Sequence, residues 1–588
     1  MRARIDFPAT QAETGARLRL AFAAPLACHC AHAPDEVAAV LDAALAAARA
    51  GHWAAGWVAY EAAPAFDAAL RVQPPAVGWP LAAFAVYDAP LAAAPPADAA
   101  AFVCGPWRAL TPMAQDLTAI DALRARIAEG DFYQVNLTTR LRAAFSGSGA
   151  ALFEALRASQ PDGYCIHLAA ADREILSVSP ELFFDWRPDG ALLTRPMKGT
   201  APRHADAEAD AAAARALRAS AKECAENLMI VDLLRNDLAR VALTGSVRVP
   251  GLFELDALPT AWQMSSRVTA ATRSGVGLAE VFAALFPCGS VTGAPKVAAM
   301  AAIAALEAAP RGTYCGAIGL IRPGGHATFN VGIRTVTLDR RTGVAECGIG
   351  SGIVHDSAAA DEYAEWLIKR RFLLRASAGF ELLETLALRD GRFVLADRHL
   401  ARLAAGAAHF GFAHDPRRAQ AALAAVAAPR PAGDFVVRLL CDRQGRMRTE
   451  CAALGEAPAE ARAILAAAPI AGEPDFLLHK TTERSAYRPF DPPAGIFDTL
   501  LWNARGELTE FTRGNLIVEI DGARLTPPLS CGLLPGTLRA ELIERGEIAE
   551  GVVRVAELAR VRALWFINSV RGRIPVRLAT DSQAVIPE

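Results

Sequence analysis

The chain has 588 residues, more than one hydrophobic core organises, so roughly two to four domains are expected. Lysine and arginine total 61 against 63 aspartate and glutamate, a balance that excludes a charge-driven binder of nucleic acid or membrane surface and leaves small molecules and proteins as partners. No run of about 20 apolar residues reads as a membrane span. Leu18 to Ala33 has the apolar look of a secretion leader, but Arg19 interrupts it, and Asp6 and Glu13 stand where a basic leader belongs, so a cytoplasmic protein is expected.

Residues 1–115 mix short apolar, strand-like stretches with Pro74-Pro75 and Pro95-Pro96 and carry no readable chemistry, so a structural role is expected. Cys28-His29-Cys30 with His32 has the composition of a zinc site but lacks a second ligand pair at finger spacing. The eleven cysteines therefore read as reduced thiols without disulfides. From Asp116 helical and β-type patterns alternate up to an amphipathic helix, Ala358 to about Ala376. A second unit opens with the apolar strand Phe380 to Leu388, the turn Asp390-Gly391 and the run Arg392 to Leu395, a hairpin pattern. The expected organisation is 1–115, 116–376 and 379–588.

The region 130–370 concentrates carboxylates in helical pairs. Glu223 and Glu226 are three apart, as are Glu362 and Glu365, and Lys369 follows one turn later. Four carboxylates without Cys or His suit a hard cation such as Mg²⁺ if the two helices converge. The alternative is two solvated helix faces.

The words around these pairs run in a fixed order. They are G-D-F-Y-Q-V-N-L (130–137), S-P-E (179–181), R-P-M-K-G-T (195–200), A-E-N-L-M-I-V-D-L-L-R-N-D (225–237), G-S-V-T-G-A-P-K (289–296), R-G-T-Y-C-G-A-I-G (311–319), N-V-G-I-R-T (330–335) and G-S-G-I-V (350–354). Together they resemble the chorismate-utilising family, which spans anthranilate, aminodeoxychorismate and isochorismate synthases. The resemblance implies an α+β fold in which antiparallel sheets pack as a sandwich with surrounding helices. It implies chorismate as substrate and Mg²⁺ held by Glu226 and Glu365, with Glu223 and Glu362 assisting. For the two carboxylates of chorismate it offers Tyr314, Arg334, Lys369, Thr292 and the glycines Gly350 and Gly352. A dinucleotide loop at 348–352 is rejected, because neither a βαβ context nor an acid about 20 residues later supports it.

Within this family the word reads P-I-A-G-T in anthranilate synthases and P-I-K-G-T in aminodeoxychorismate synthases, and here it contains Lys198. The resemblance thus implies amination at C4, with Lys198 attacking C2 and Glu181 protonating the departing hydroxyl. Glu181 needs a raised pKa for that task. Gln263 stands where many relatives have histidine, and an amide carries no proton, so it receives no acid or base role. No stretch carries the Cys, His and Glu words of a glutaminase, so a separate glutaminase subunit is the expected source of ammonia. The competing reading is an anthranilate synthase component fused to a class IV aminotransferase, and Lys198 argues against it.

From Gly379 onward the words are E-T (384–385), R-H-L-A-R-L (398–403), H-K-T-T (479–482), E-F-T-R-G-N (510–515), G-L-L-P-G-T-L-R (532–539) and N-S-V-R-G (568–572). They resemble the fold-type IV pyridoxal-phosphate enzymes, a group of two α/β subdomains that includes aminotransferases and aminodeoxychorismate lyases. Such chemistry needs a lysine to attach the cofactor, an acid at the pyridine nitrogen and a phosphate cradle. Lys480, Glu510 and the set Arg402, Gly536 and Thr537 match these needs. Fusion to a C4-aminating unit implies that the reaction is loss of pyruvate to give 4-aminobenzoate. Thr385 is a candidate for assisting protonation of the enolpyruvyl group, and a homodimer through this unit fits the resemblance.

Overall fold

The computed structural model describes residues 1–588 except 9–16, 93–101, 161, 204–206, 258–260, 378 and 580–588. It forms two compact units, Met1–Ala378 and Gly379–Glu588.

Two ten-stranded sheets dominate the first unit. One runs Gly293–Ala294, Gln134–Gly147, Val344–Ile353, Thr335–Asp339, Arg173–Ser179, Tyr164–Ala169, Arg2–Pro8 and Arg17–Phe22, antiparallel throughout. The other runs Met197–Pro202, Ala261–Ala271, Ala191–Arg195, Leu182–Trp186, His326–Val331, Ala317–Arg322, Trp53–Val58, Ala82–Tyr87 and Ala27–Ala31. The sheets pack face to face through Ile5, Phe7, Phe22, Tyr164, Ile166, Trp57, Leu182, Ile318 and Leu320. Helices Val37–Arg49, Ala221–Ala239 and Leu278–Leu285 close the outer face of the second sheet around Phe184, Phe282 and Phe329. Met113–Ala128, Gly149–Ser159 and Ala359–Ser377 close that of the first around Leu141, Phe153 and Trp366. Each fully buried aromatic or branched side chain contributes about 1.5–3 kcal/mol, and both outer layers are secured this way.

This is the α+β sandwich with surrounding helices that the sequence suggests. Residues 1–115 take part in both sheets: Arg2–Pro8 and Arg17–Phe22 complete the first, while Ala27–Ala31, Trp53–Val58 and Ala82–Tyr87 complete the second. The apolar run from Leu18 thus belongs to strands. Cys28 and Cys30 lie exposed on the edge strand Ala27–Ala31. All eleven cysteines are free. No helix among the described residues is long and apolar enough to cross a membrane.

The second unit contains a four-stranded antiparallel sheet, Arg392–Phe393, Leu382–Arg389, Asp434–Cys441 and Met447–Ala453. At the hairpin, Asp390 and Gly391 have φ of 43° and 75°, the left-handed pair that a two-residue turn of this hand requires. The strand predicted to reach Leu395 stops at Phe393, because Leu395 itself turns left-handed and caps the helix Ala396–Phe410. An eight-stranded mixed sheet follows, with Ala461–Leu465 parallel to both Asp498–Trp502 and Gly572–Leu578. Two α/β layers therefore build this unit, as expected.

Candidate active sites

In the first unit the strand Met197–Pro202 brings Lys198 to a cavity of about 180 Å³. Glu181, Tyr314, Arg334, Gly350, Gly352, Glu365 and Lys369 also line it. Glu181 is 3% exposed, and burial pushes its carboxyl up to about 7 although the Ser290 hydroxyl, Lys198 and Lys369 all pull it down. Ser290 donates to its Oε1 at 2.7 Å. Lys198 Nζ lies 3.1 Å from Glu226 Oε2. Lys369 Nζ pairs with Glu365 at 2.6 Å and donates to the Gly350 carbonyl at 2.9 Å. The glycines of the strand Val344–Ile353 permit this closeness, since a Cβ on Gly352 would stand 2.7 Å from Lys198 Nζ. Arg334 sits at φ 51° and donates to the Lys369 carbonyl, and burial lowers its pKa. Tyr314 carries the Arg140 guanidinium 4.9 Å above its ring.

The structure treats the four helical carboxylates unequally. Ser220 caps the helix Ala221–Ala239 by accepting from Glu223 N–H. One turn on, Glu223 and Glu226 interact as like charges; burial and then Glu226 raise the Glu223 pKa. Burial works to raise Glu365 as well, but Lys369 and then Lys198 hold it below the ordinary value. Glu362 is engaged elsewhere: its two oxygens accept from Ser351 and Ser357 at 2.5 and 2.6 Å, and Trp366 donates to Ser351. No three acidic, His or Cys side chains among the described residues already form a metal cluster. Lys198 and Lys369 supply the countercharge instead. Glu223 senses the charges of both Glu226 and Glu365, so the three stand near one another, and carboxylates without sulfur or imidazole are the donor chemistry of a hard dication.

Thr292 is placed behind that wall. It is fully buried, and its hydroxyl donates to the Cys288 and Gly289 carbonyls at 3.1 and 3.3 Å. Gln263 lines the cavity and braces the Lys198 turn, donating to the Gly199 carbonyl at 2.9 Å and accepting from Thr200. Three contributors escape sequence reading. Ser290 holds the acid. Gln134 is 0% exposed with both amide atoms unpartnered, and it meets Gly352 beside the Lys198 amine. Glu61, from the part read as structural, accepts from the Arg311 and Gly312 N–H groups at 2.6 and 2.8 Å and so fixes the loop that carries Tyr314. Ser290 and Gln134 both stand in words of the family pattern, whereas Glu61 stands in none.

In the second unit Glu510 is buried and Lys480 is half-buried. Burial and then Arg402 lower the Lys480 amine to about 8, and no carboxylate among the described residues lies within ion-pair distance of it. Burial pushes Glu510 up to about 7; its Oε1 accepts from Tyr487 Oη at 2.8 Å and Leu534 N–H at 3.2 Å, and its Oε2 from Asn515 at 3.2 Å. A desolvated amine without an ion-pair partner and a buried acid without one fit a cofactor with an aldehyde at one end and a ring nitrogen at the other. Gly536 starts the helix Thr537–Glu544, and a Cβ there would overlap the Asn515 amide oxygen. Arg402 grips Glu384 at 2.8 and 2.7 Å and donates to the Pro535 carbonyl. Despite burial, Arg402 and His399 hold Glu384 at about 2. His399 continues to Ser569 at 2.9 Å and Thr537 at 3.2 Å. Strand alternation places Thr385 on the opposite sheet face from Glu384.

Comparison with known proteins bears on both units. Residues 105–375 match the model of the chorismate binding enzymes, and residues 381–579 match class IV amino-transferases. The chain joins a domain of each family. The first domain is 42% identical over 243 residues to aminodeoxychorismate synthase component 1 of Salmonella typhimurium, covering 41% of this chain and 53% of that protein. It is 38% identical over 253 residues to anthranilate synthase component 1 of Methanothermobacter marburgensis, covering 43% and 54%. The chain thus spans about half the length of the curated relatives it matches. The anthranilate synthase component I structure from Streptococcus pneumoniae shares the fold at a TM-score of 0.50 and 24% identity, covering 63% of this chain and 89% of that one.

Proposed function

We propose that the protein makes 4-aminobenzoate from chorismate in two reactions, amination at C4 and loss of pyruvate. The observation that carries the reading is the pairing, in one cavity, of Lys198 with a buried Glu181 whose carboxyl titrates near 7. Lys198 in its neutral form attacks C2. The ring double bonds shift, and the C4 hydroxyl leaves as water with the proton from Glu181. Ammonia then adds at C4, the double bonds return, and the lysine departs as the free amine. Arg334, Lys369 and the Tyr314 loop border the cavity and suit the substrate's two carboxylates. Glu223, Glu226 and Glu365 would hold Mg²⁺, which when bound supplies a fixed countercharge for a substrate carboxylate. Glu362 then acts through its serines to set the pitch of the helix that carries Glu365. The name of the Salmonella relative, component 1, supports a second component, here a glutaminase that delivers the ammonia.

In the second unit the residues suit pyridoxal phosphate, which when bound supplies an electron sink for a carbanion. Glu510 would stand at the ring nitrogen, and Arg402 with the N–H groups from Gly536 to Leu538 would take the phosphate. Lys480, poised near neutrality, removes the C4 proton of the aminated ring. The enolpyruvyl C–O bond at C3 breaks, the ring aromatises, and the released enol takes a proton to become pyruvate; Thr385 is the sequence candidate for assisting that transfer, although it lies on the sheet face opposite Glu384.

The test is incubation of the pure protein with chorismate, ammonium, Mg²⁺ and pyridoxal phosphate, with products identified by mass. 4-Aminobenzoate and pyruvate in equal amounts support the reading. Anthranilate in place of 4-aminobenzoate would show that the first unit aminates at C2 and overturn it.

A further inference from the structure

Two cations border Lys480, and they are bound differently. Arg402 is committed to Glu384 through two hydrogen bonds. Arg484, four residues past the lysine, has no carboxylate partner among the described residues. One of its amino groups donates to the Thr512 carbonyl, which lies just beyond the strand Leu508–Phe511 carrying Glu510. Thr512 is itself pinned, with its N–H and hydroxyl both donating to Asp498 at 3.0 and 2.5 Å. The guanidinium carbon stands 4.4 Å from the centroid of the Tyr487 ring, whose hydroxyl donates to Glu510. Arg484 is therefore held flat against one aromatic face and anchored at one corner, with its remaining donors uncommitted. Its neighbours in charge do not neutralise it, since Lys480 is of like sign and Glu510 is engaged by Tyr487, Leu534 and Asn515. The adjacent Glu483 caps the Ser485 N–H.

A planar guanidinium fixed on an aromatic ring with free donors is a receptor for a carboxylate, because the fork matches the two oxygens and little side-chain freedom remains to be lost. We propose that Arg484 recognises the ring carboxylate of the substrate in the second unit. This rests on the reading of that unit as a lyase. Arg402 meets the phosphate need, and a substrate with two further carboxylates requires a cation that the cofactor does not consume. Arg484 is the side chain beside Lys480 that satisfies this condition.

The proposal is tested by binding, using the full chain loaded with pyridoxal phosphate. Calorimetry compares 4-aminobenzoate with its neutral counterpart 4-aminobenzamide, in the wild type and in Arg484→Gln. The wild type should prefer the acid by about tenfold or more, the size expected of a charged hydrogen bond. Arg484→Gln should lose that preference while keeping the visible absorption of bound cofactor, and Arg484→Lys should recover part of it. An unchanged acid-over-amide preference in Arg484→Gln overturns the proposal. So does a loss confined to overall affinity, equal for acid and amide, which is the mark of a purely structural arginine. If Arg484→Gln does not fold, Arg484→Met is read in the same way: an acid-over-amide ratio equal to the wild type's with cofactor retained also overturns it. The lyase reading fails separately, if the wild-type protein shows the acid preference but releases no pyruvate from 4-amino-4-deoxychorismate.

Discussion

Each unit sets one half-buried lysine near one buried carboxylic acid that burial has raised to about 7, Glu181 in the first and Glu510 in the second. The lysines are prepared in opposite ways. Lys198 is held in an ion pair with Glu226 at 3.1 Å, whereas Lys480 has no such partner, and burial with Arg402 brings its amine down to about 8. Desolvation without a countercharge favours the neutral amine, and a countercharge restores the cation. In the second unit the amine has no ion-pair partner, and its lowered pKa raises the neutral fraction that a cofactor aldehyde would need. In the first unit the Lys198 amine is engaged by Glu226, and on the proposed reading a dication bound between the carboxylates would compete for that carboxylate.

The most severe way to break this comparison is to remove the prepared amine. Lys480→Ala should lower 4-aminobenzoate formation by about 10³-fold or more and abolish the visible absorption of bound cofactor, while the first unit continues to turn over. 4-Amino-4-deoxychorismate should then accumulate and be converted by added wild-type protein. Release of 4-aminobenzoate at the wild-type rate would mean that the second unit is not the lyase. Lys198→Ala should cost about 10²–10³-fold in C4 amination, or redirect product to anthranilate, because it recreates the alanine-containing word. Unchanged 4-aminobenzoate production from chorismate would remove the covalent role of Lys198.

Much of this was legible in the sequence, for physical reasons that can be named. Lys198, Glu181, Lys480 and Glu510 sit in short words whose chemistry needs those side chains; the two acids are buried and the two lysines half-buried. The hairpin at Asp390-Gly391 was readable because only a few residues tolerate positive φ. What was hidden is non-local. Glu61 reaches the Arg311–Gly312 backbone from 250 residues away, so a segment without any motif shapes the cavity. Glu362 shares the spacing of Glu365, yet the fold presents two serines to it and leaves Glu365 facing the cavity. Thr292 sits in a family word, but the turn it closes claims its hydroxyl. Helical spacing states which side chains share a face and is silent about what that face meets.

Glu365→Gln sharpens the comparison at the metal. The neutral amide is a poorer ligand for a hard dication, so Mg²⁺ affinity should fall by about 10–100-fold and chorismate turnover should require correspondingly more metal. The second unit's turnover of supplied 4-amino-4-deoxychorismate should be untouched. The same substitution also removes the ion pair with Lys369, and for that reason the readout is calorimetric Mg²⁺ binding. A binding isotherm identical to the wild type's would take Glu365 out of the donor set.

The mildest test is pH, and it sets the two units against each other. As the acid for the C4 hydroxyl, Glu181 must be protonated, and its pKa lies above the usual carboxylate range, near 7. The protonated fraction is nearly complete at pH 6 and falls through pH 7, so amination should drop by about tenfold between pH 6 and pH 8. Lys480 has the reverse requirement. Its pKa lies below the usual lysine range, near 8, so the neutral fraction grows with pH, and pyruvate release from supplied 4-amino-4-deoxychorismate should rise over the same interval. Amination has to be followed at constant free ammonia, with total ammonium adjusted at each pH, because ammonia itself becomes more available as pH rises and would mask the acidic limb. Glu181→Gln should flatten the amination profile at a much lower rate, since the amide has no proton to give. A wild-type amination rate that stays level or increases from pH 6 to pH 8 at constant free ammonia would show that Glu181 is not the acid, and the proton for the departing hydroxyl would have to come from another group lining the cavity.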